Sequence, residues 1–412
     1  MKNNKKHIQI ILTLISCFLC KSLSSQSLED YINLAQKNSP TIQKFELKYK
    51  IASEKKNAVN TLPNTEIGVG FFISEPETRT GAQQFKISAK QMIPWFGSVT
   101  ARENYASSLA DAKYEDVVIA KRKLLLSVSQ SYYKLYSIKE KRQKIKENSK
   151  LLKIYEGFAL ISLEVGKASA VDVLKLQMRQ NELEQIWQVL GQQFLTEQTT
   201  FNKLLNREKN TSVKVINGLI IPLKDSFINS GNLKLHPELI KYDKIYQSVD
   251  QSELLNKKES NPMLGFGLDY IAVSERPNMN FSDNGKDIIM PMFSVSIPIF
   301  NKKYSSKSKQ NKLKQQEIMS QKQERLNALE TVLESAINNR TIAKIQYNTQ
   351  GKNINQAKSA EQILRKSYQT GIVNFKDVLD IQELHLKFQI NQIESVKMYY
   401  LQTAMINYLS NF

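Results

Sequence analysis

Hydrophobic positions along this 412-residue chain follow two different periods. From Ser98 to Glu156 there is neither glycine nor proline, and Leu124, Val128, Leu135 and Ile138 fall at helical spacing; Asn301 to Gln350 is equally free of both. Runs of this kind predict extended amphipathic helices that pack side by side. Four shorter stretches alternate instead. Ile67, Val69, Phe71 and Ile73 oppose Gly68 and Gly70, while Phe85, Ile87 and Ala89 oppose Lys86, Ser88 and Lys90. Leu264, Phe266, Leu268 and Tyr270 oppose Gly265, Gly267 and Asp269, while Phe293, Val295 and Ile297 oppose Ser294 and Ser296. Segments of about 9–11 residues, apolar on one face and polar or tiny on the other, have the length and period of membrane-spanning barrel strands. A half-buried sheet on a soluble core gives the same pattern in any single segment.

The pattern is written twice. Ser39-Pro40, followed by Lys44 and Phe45, recurs as His236-Pro237, followed by Lys241 and Tyr242. Gly68-Val69-Gly70 recurs as Gly265-Phe266-Gly267, and Ile93-Pro94-Trp95-Phe96 as Ile297-Pro298-Ile299-Phe300. Gly166 with Asp172-Val173-Leu174-Lys175-Leu176-Gln177 recurs as Gly371 with Asp377-Val378-Leu379-Asp380-Ile381-Gln382, and the offset stays between 197 and 205 throughout. Four ordered matches indicate a tandem duplication. After residues 1–24, the first repeat takes residues 25–206, an irregular segment takes 207–235 and the second repeat takes 236–412.

Each half has the same order. In the first, a short helix from Leu28 to Lys37 precedes a second of about twenty residues. A strand pair follows, near 66–93 and again near 263–297. A long helical hairpin then fills 98–206 and 301–410. Pro94 and Pro298 mark the strand-to-helix junctions, and Gly166 and Gly371 mark the hairpin tips; these prolines and glycines lie 72 and 73 positions apart. At 1.5 Å per residue each long helix could reach about 100 Å. Four strands cannot close a barrel, because the smallest bacterial ones have about eight. Open strand edges are not tolerated in lipid, so the chain would complete its barrel with copies of itself. Two copies would give a filled eight-stranded barrel, whereas three would give twelve strands and a lumen.

Composition agrees with long elements. Glycine (14) and proline (10) make under 6 per cent of the chain, leaving few places to reverse direction. The formal charge of +19 includes the four lysines of residues 1–24, leaving +15. The basic residues are spread along helices, as in Lys139-Glu140-Lys141-Arg142, without interleaved aromatic platforms. That describes a solvated helix face and no nucleic-acid partner. Lys2, Lys5 and Lys6 followed by the mostly apolar stretch Ile8–Cys20 and then Ser22, Ser24 and Ser25 have the layout of a secretory signal peptide over 1–24. Both cysteines, Cys17 and Cys20, fall inside it, so the mature chain would carry no thiol. Leu14-Ile15-Ser16-Cys17 also resembles a lipoprotein cleavage box, which would make Cys17 a lipid anchor.

The duplication, the strand-pair-then-long-helix order and the Gly-x5-Asp-Val-Leu turns at Gly166 and Gly371 together resemble the TolC-like outer-membrane efflux proteins. The resemblance covers nearly the whole mature chain. It implies a mainly α fold in which four strands per chain contribute to a trimeric twelve-stranded outer-membrane β-barrel. The tandem helical hairpins would continue that barrel as an α-helical periplasmic tunnel. It further implies a passive homotrimeric conduit that docks to a periplasmic adaptor protein and an inner-membrane pump, with outer-membrane lipid as its surroundings and no cofactor. Asp377 and Asp380 match the family's acidic pair at the periplasmic entrance, where threefold repetition would place six carboxylates around one mouth. The first repeat offers Asp172 but places Lys175 at the second acidic position. Tyr368 matches the tyrosine of the closed-gate network, whose arginine partner would fall at Val373. Pro94-Trp95-Phe96-Gly97 resembles versions that accompany heavy-metal cation pumps; metal ion, drug and secreted protein all fit as cargo.

Enzymatic chemistry is not visible. His7 belongs to the leader, His236 precedes a helix, His385 is isolated on one, and none shows His-x3-His spacing. Gly68-Val69-Gly70 lacks the third glycine and following helix of a phosphate cradle, and no Gly-x-Ser-x-Gly elbow occurs. Asp377 and Asp380 would also serve simply as carboxylates at a helix start. Met290 and Met292 share the polar strand face with Ser294, where thioethers suit Cu(I) or ordinary filling. Two other classes compete: a periplasmic adaptor, which would show one hairpin flanked by split lipoyl-type segments, and a lipid-anchored coiled-coil scaffold.

Overall fold

The computed structural model describes residues 27–166, 169–225, 230–370, 372–373 and 375–410. The leader with His7, Cys17 and Cys20, and the tip glycine Gly371, lie outside the described residues. The described elements are α1 (Leu28–Asn38), α2 (Pro40–Val59), β1 (Glu66–Phe71), β2 (Glu77–Thr78), β3 (Gly81–Ile93), α3 (Ser98–Glu164) and α4 (Ala170–Leu204). A 3-10 turn (Ser230–Leu235) leads to α5 (Pro237–Glu259), β4 (Met263–Val273), β5 (Ile288–Ser296), α6 (Lys303–Gln369) and α7 (Phe375–Ser410). The equivalent helices α3 and α6 each run 67 residues without proline, continuing past the glycine-free runs and through Gly157 and Gly351. No described helix is long and apolar enough to cross a membrane.

The chain forms two compact units, and each draws segments from both sequence repeats. Among the described residues, one comprises those up to Pro40, those from Lys121 to Asp225 and those from Val332 to Ser410. Its first core cluster gathers Tyr31, Tyr132, Phe201, Val396 and Tyr399. Tyr31 meets Phe201 edge to face, with ring centroids 5.0 Å apart. The irregular segment after α4 straps across this cluster: Val215 and Ile221 are buried in it. Polar bonds hold the strap down, for Tyr31 Oη accepts from Lys214 N (2.9 Å), Tyr132 Oη accepts from Ile216 N (3.1 Å), and Lys139 Nζ donates to Val215 O (2.6 Å). Farther on, Asp225 accepts from Tyr399 Oη (2.7 Å) and Lys344 Nζ (3.1 Å). Burial alone would push its pKa up, yet these bonds and Arg340 hold it below the usual carboxylate range.

A second cluster joins the hairpins. Ile145, Leu152, Tyr155 and Ala159 of α3, Val173, Leu176 and Leu183 of α4, and Phe375, Val378 and Leu386 of α7 form it. Their spacings of three, four, seven and eight keep them on one face of each helix.

The other unit comprises Thr41–Ala120 and Ser230–Thr331, and it contains the sheet. Strand order is β1-β3-β4-β5, entirely antiparallel, with β2 pairing only with the start of β3. The short β2 has no counterpart in the sequence reading. Two other expectations need correction. Alternation carries β1 to Ile73, but the strand stops at Phe71 and Ile73 is fully exposed in a bend before Pro76. Alternation carries β5 to Ile297, but the strand stops at Ser296; Pro298 has no N–H for the ladder, and Ile299 N closes a tight turn on Ile297 O (3.0 Å). In the same unit, α5 is capped by His236, whose Nδ1 accepts from Glu238 N (3.3 Å). Asn256 donates to Tyr304 O (2.8 Å) and Ser308 Oγ (3.0 Å), fastening α5 to the start of α6.

Candidate functional site

Two places carry the candidate chemistry. The first is the sheet. Register pairs Ile67 with Ala89, Val69 with Ile87 and Phe71 with Phe85. It pairs Ala89 with Leu268, and then Phe266 with Phe293 and Leu268 with Pro291. One face is therefore a continuous apolar surface, and it is bare: Ile67 is 75 % exposed, Phe71 77 % and Phe293 62 %. The opposite face carries Gly68, Gly70, Lys86, Ser88, Lys90, Gly265, Gly267, Asp269 and Ser294, as alternation predicts. Met290 and Met292 sit on that face with Met92, which sequence reading did not include. Gly265 makes room for its neighbours, since a Cβ there would lie 2.7 Å from Met92 Sδ. Asp269 is fully buried and ion-paired with Lys86. Both outer strands, β1 and β5, keep one unpaired edge among the described residues. Pro94 and Pro298 both lie between a strand and the following long helix, where the sequence placed them.

The second place is the hairpin end of the helical unit. Gly166 adopts a left-handed φ of +69° and its N–H returns to Leu163 O (3.0 Å), ending α3 as glycine does after a helix C-terminus. Ser169 and Asp172 then form a capping box at the start of α4, with Ser169 N donating to the Asp172 carboxylate at 3.4 Å and Val171 N to Ser169 Oγ at 3.2 Å. Asp172 thus has a structural task. Asp377 occupies the first turn of α7 and is exposed. One turn on, Asp380 borders a groove of about 560 Å³ lined by Arg179, Leu183, Glu383, Lys387 and Lys141, among others. Arg179 is held between Glu182 (2.7 Å) and Glu383 (2.9 Å), and Lys175 and Lys376 line the adjoining groove with Asp380. Acids and bases are interleaved here.

Tyr368 packs edge to face on Phe375 (5.1 Å), which also meets Tyr155 (6.3 Å). Its hydroxyl is buried with no hydrogen-bond partner among the described residues. The position of the expected arginine, Val373, is half-buried.

Sequence reasoning missed a polar ladder beside this cluster. His385 is not isolated: its Nδ1 lies 2.9 Å from Glu361 of α6, and Tyr155 Oη of α3 donates to the same carboxylate at 2.7 Å. Gln389 meets His385 Nε2 (3.2 Å), and Asn148 bonds both Gln389 and the buried Gln382. The hydrogen bond with His385, then that with Tyr155, holds Glu361 below the usual carboxylate range despite its burial. The available signal was Gln382, His385 and Gln389 at helical spacing on the face that also buries Val378 and Leu386. Among the described residues no group of three or more His, Cys, Asp or Glu is arranged to hold a metal ion.

No family model matches the chain, and no curated protein matches it significantly. Solved structures do. CusC aligns over 94 % of this chain and 93 % of its own, at 13 % identity and a TM-score of 0.77. The outer membrane protein VceC of Vibrio cholerae aligns over 93 % and 95 %, at 14 % identity and a TM-score of 0.74. The CmeC outer membrane channel of Campylobacter jejuni aligns over 93 % and 85 %, at 15 % identity and a TM-score of 0.72. Agreement over nearly the full length of each means that this chain has the fold of the TolC-like outer-membrane channels.

Proposed function

We propose that the chain is the outer-membrane channel of a tripartite efflux system: a passive homotrimer that extends into the periplasm and carries what an inner-membrane pump delivers through a periplasmic adaptor. The observation that carries this reading is the sheet, with one bare apolar face, one polar face and two open edges. An exposed apolar surface of that extent on a strand array fits lipid, and open edges in lipid demand closure by further strands. Three copies supply twelve strands and a lumen. The helices also leave unpartnered seams, for α4 exposes Val171, Leu174, Met178 and Ile186 opposite its buried face, as expected if neighbouring copies cover them.

On this reading Asp377 and Asp380, with Asp172, surround the periplasmic entrance, Tyr368 belongs to its closing cluster, and Gly166 and Gly371 form the tips offered to the adaptor. Pro94 and Pro298 mark where barrel passes into tunnel. The protein is not an enzyme, and the driving energy is the pump's. The two repeats, 25–206 and 236–412, each provide one strand pair and one hairpin to the wall.

The test is assembly in detergent followed by planar-bilayer recording. A trimeric mass and stepwise conductance are expected; a stable water-soluble monomer without detergent would overturn the proposal. An adaptor or scaffold would be released from membranes by carbonate, whereas the channel stays.

A further inference from the structure

The polar face of the sheet carries one methionine on each of four successive rungs. Met263 of β4 stands opposite Ser296, Met92 of β3 opposite Gly265, Met292 of β5 opposite Gly267 and Met290 of β5 opposite Asp269. Residues 263, 265, 267 and 269 are alternate positions of β4, so the rungs follow one another at about 6–7 Å. Four of the chain's ten methionines form this line, which even scatter over 412 residues does not produce. The glycines of β4 keep its middle open. A Cβ on Gly265 would lie 2.7 Å from Met92 Sδ and closer still to Ser294 Oγ; one on Gly267 would lie 3.1 Å from Met292 Cε. Two thioether groups from the flanking strands therefore lean over β4 at neighbouring rungs, with no side chain of β4 between them. The three rotatable bonds of methionine let adjacent sulfurs turn toward a shared ion.

Filling a core does not explain the line. Twelve strands enclose a lumen, and Met290 and Met292 are 40 % and 37 % exposed on the face that the channel reading turns toward it. Charge does not bar a cation either. Lys86 pairs with Asp269, and Lys90 stands opposite Glu66 in the register, so two acids match the two lysines of this face. Thioethers are soft, uncharged donors that favour Cu(I)-like ions over hard cations. Neutral ligands repeated at short intervals also release an ion readily enough to pass it on, as conduction requires.

We infer that Met263, Met92, Met292 and Met290 form a thioether ladder on the lumen wall that binds soft monovalent cations, Cu(I) or Ag(I), with Met92 and Met292 over the two glycines as its tightest pair. The inference rests on the channel reading and names a cargo class for it.

The mature trimer is titrated with silver nitrate in chloride-free buffer, bound silver is measured after equilibrium dialysis, and single-channel conductance is recorded on the same preparations. Leucine keeps the apolar volume and removes the sulfur. The combined Met92→Leu, Met263→Leu, Met290→Leu, Met292→Leu variant should still conduct, while its silver affinity falls at least about tenfold. Met279→Leu with Met319→Leu, which removes two exposed thioethers elsewhere, should leave the affinity unchanged. A conducting fourfold variant that binds silver as tightly as the wild type overturns the ladder and leaves the channel standing. Wild type that does not conduct removes the channel and the ladder with it. Zinc nitrate in about a hundredfold excess should not displace the silver; displacement would assign the binding to carboxylates or histidines and overturn the thioether site. Should the fourfold variant not assemble, Met92→Leu and Met292→Leu singly should each lose at least about threefold in affinity, and no loss in either overturns the proposal.

Discussion

Asp380 is worth reading with its neighbours. A carboxylate pair at a narrow mouth attracts cations through its field, but Lys175, Arg179 and Lys376 stand beside Asp380 and offset much of that field locally. Replacing Asp377 and Asp380 together by alanine should therefore reduce single-channel cation selectivity by a modest factor, about two- to fivefold. Selectivity unchanged within error would take these two residues out of the entrance. Glu361 behaves differently because its partners are fixed. Its carboxyl is held low in the folded protein, so its contribution is present above the unfolded pKa of about 4.3 and is lost as pH falls through the folded value. Melting temperature should fall more steeply below about pH 4.5 in the wild type than in Glu361→Gln. Parallel pH profiles would show that the ladder with Tyr155 and His385 contributes nothing to stability.

The hairpins and strands show what a one-dimensional pattern conveys. Runs without glycine or proline located α3 and α6, and the Gly-x5-Asp spacing located the turn between α3 and α4, because both signals are local. Alternation assigned the faces of β1, β3, β4 and β5 correctly. It overran at Ile73 and Ile297, where a bend and a proline ended pairing that hydrophobicity alone would have continued. The Glu361–His385 pair and the strap over Tyr31 and Tyr132 are not legible as contacts, since their partners sit on different elements; the spacing of Gln382, His385 and Gln389 marks only the α7 side of the ladder. Leu176 and Leu174 of α4 separate the two kinds of surface. Leu176 is fully buried, so Leu176→Ala should cost about 2–5 kcal/mol in denaturant unfolding of the hairpins. Leu174 is 57 % exposed, and Leu174→Ala should cost under about 0.5 kcal/mol in the isolated chain. If neighbouring copies cover it, the same change should still lower the temperature at which the assembled trimer dissociates in detergent gels; equal dissociation temperatures would leave Leu174 facing solvent.

Taken whole, the molecule is defined by what it leaves unsatisfied. Buried backbone groups are almost always paired, and in hydrocarbon each unpaired one costs several kcal/mol. A sheet ending in β1 on one side and β5 on the other cannot meet that condition from within one chain. Cyclic closure does so, because the β5 edge of one copy meets the β1 edge of the next, a head-to-tail contact that generates a ring. Both natural cysteines belong to the proposed leader, so engineered thiols report this contact without background. Val69→Cys in β1 and Phe293→Cys in β5 of the same chain, treated with a bis-maleimide of about 10 Å span in native membranes, should give covalent dimers and a terminal trimer on denaturing gels. Each single variant should remain monomeric, because β1 meets β5 and never another β1. Dimers from the Val69→Cys chain alone would indicate a two-fold, face-to-face association. That geometry closes no barrel of twelve strands, so such dimers would exclude the ring.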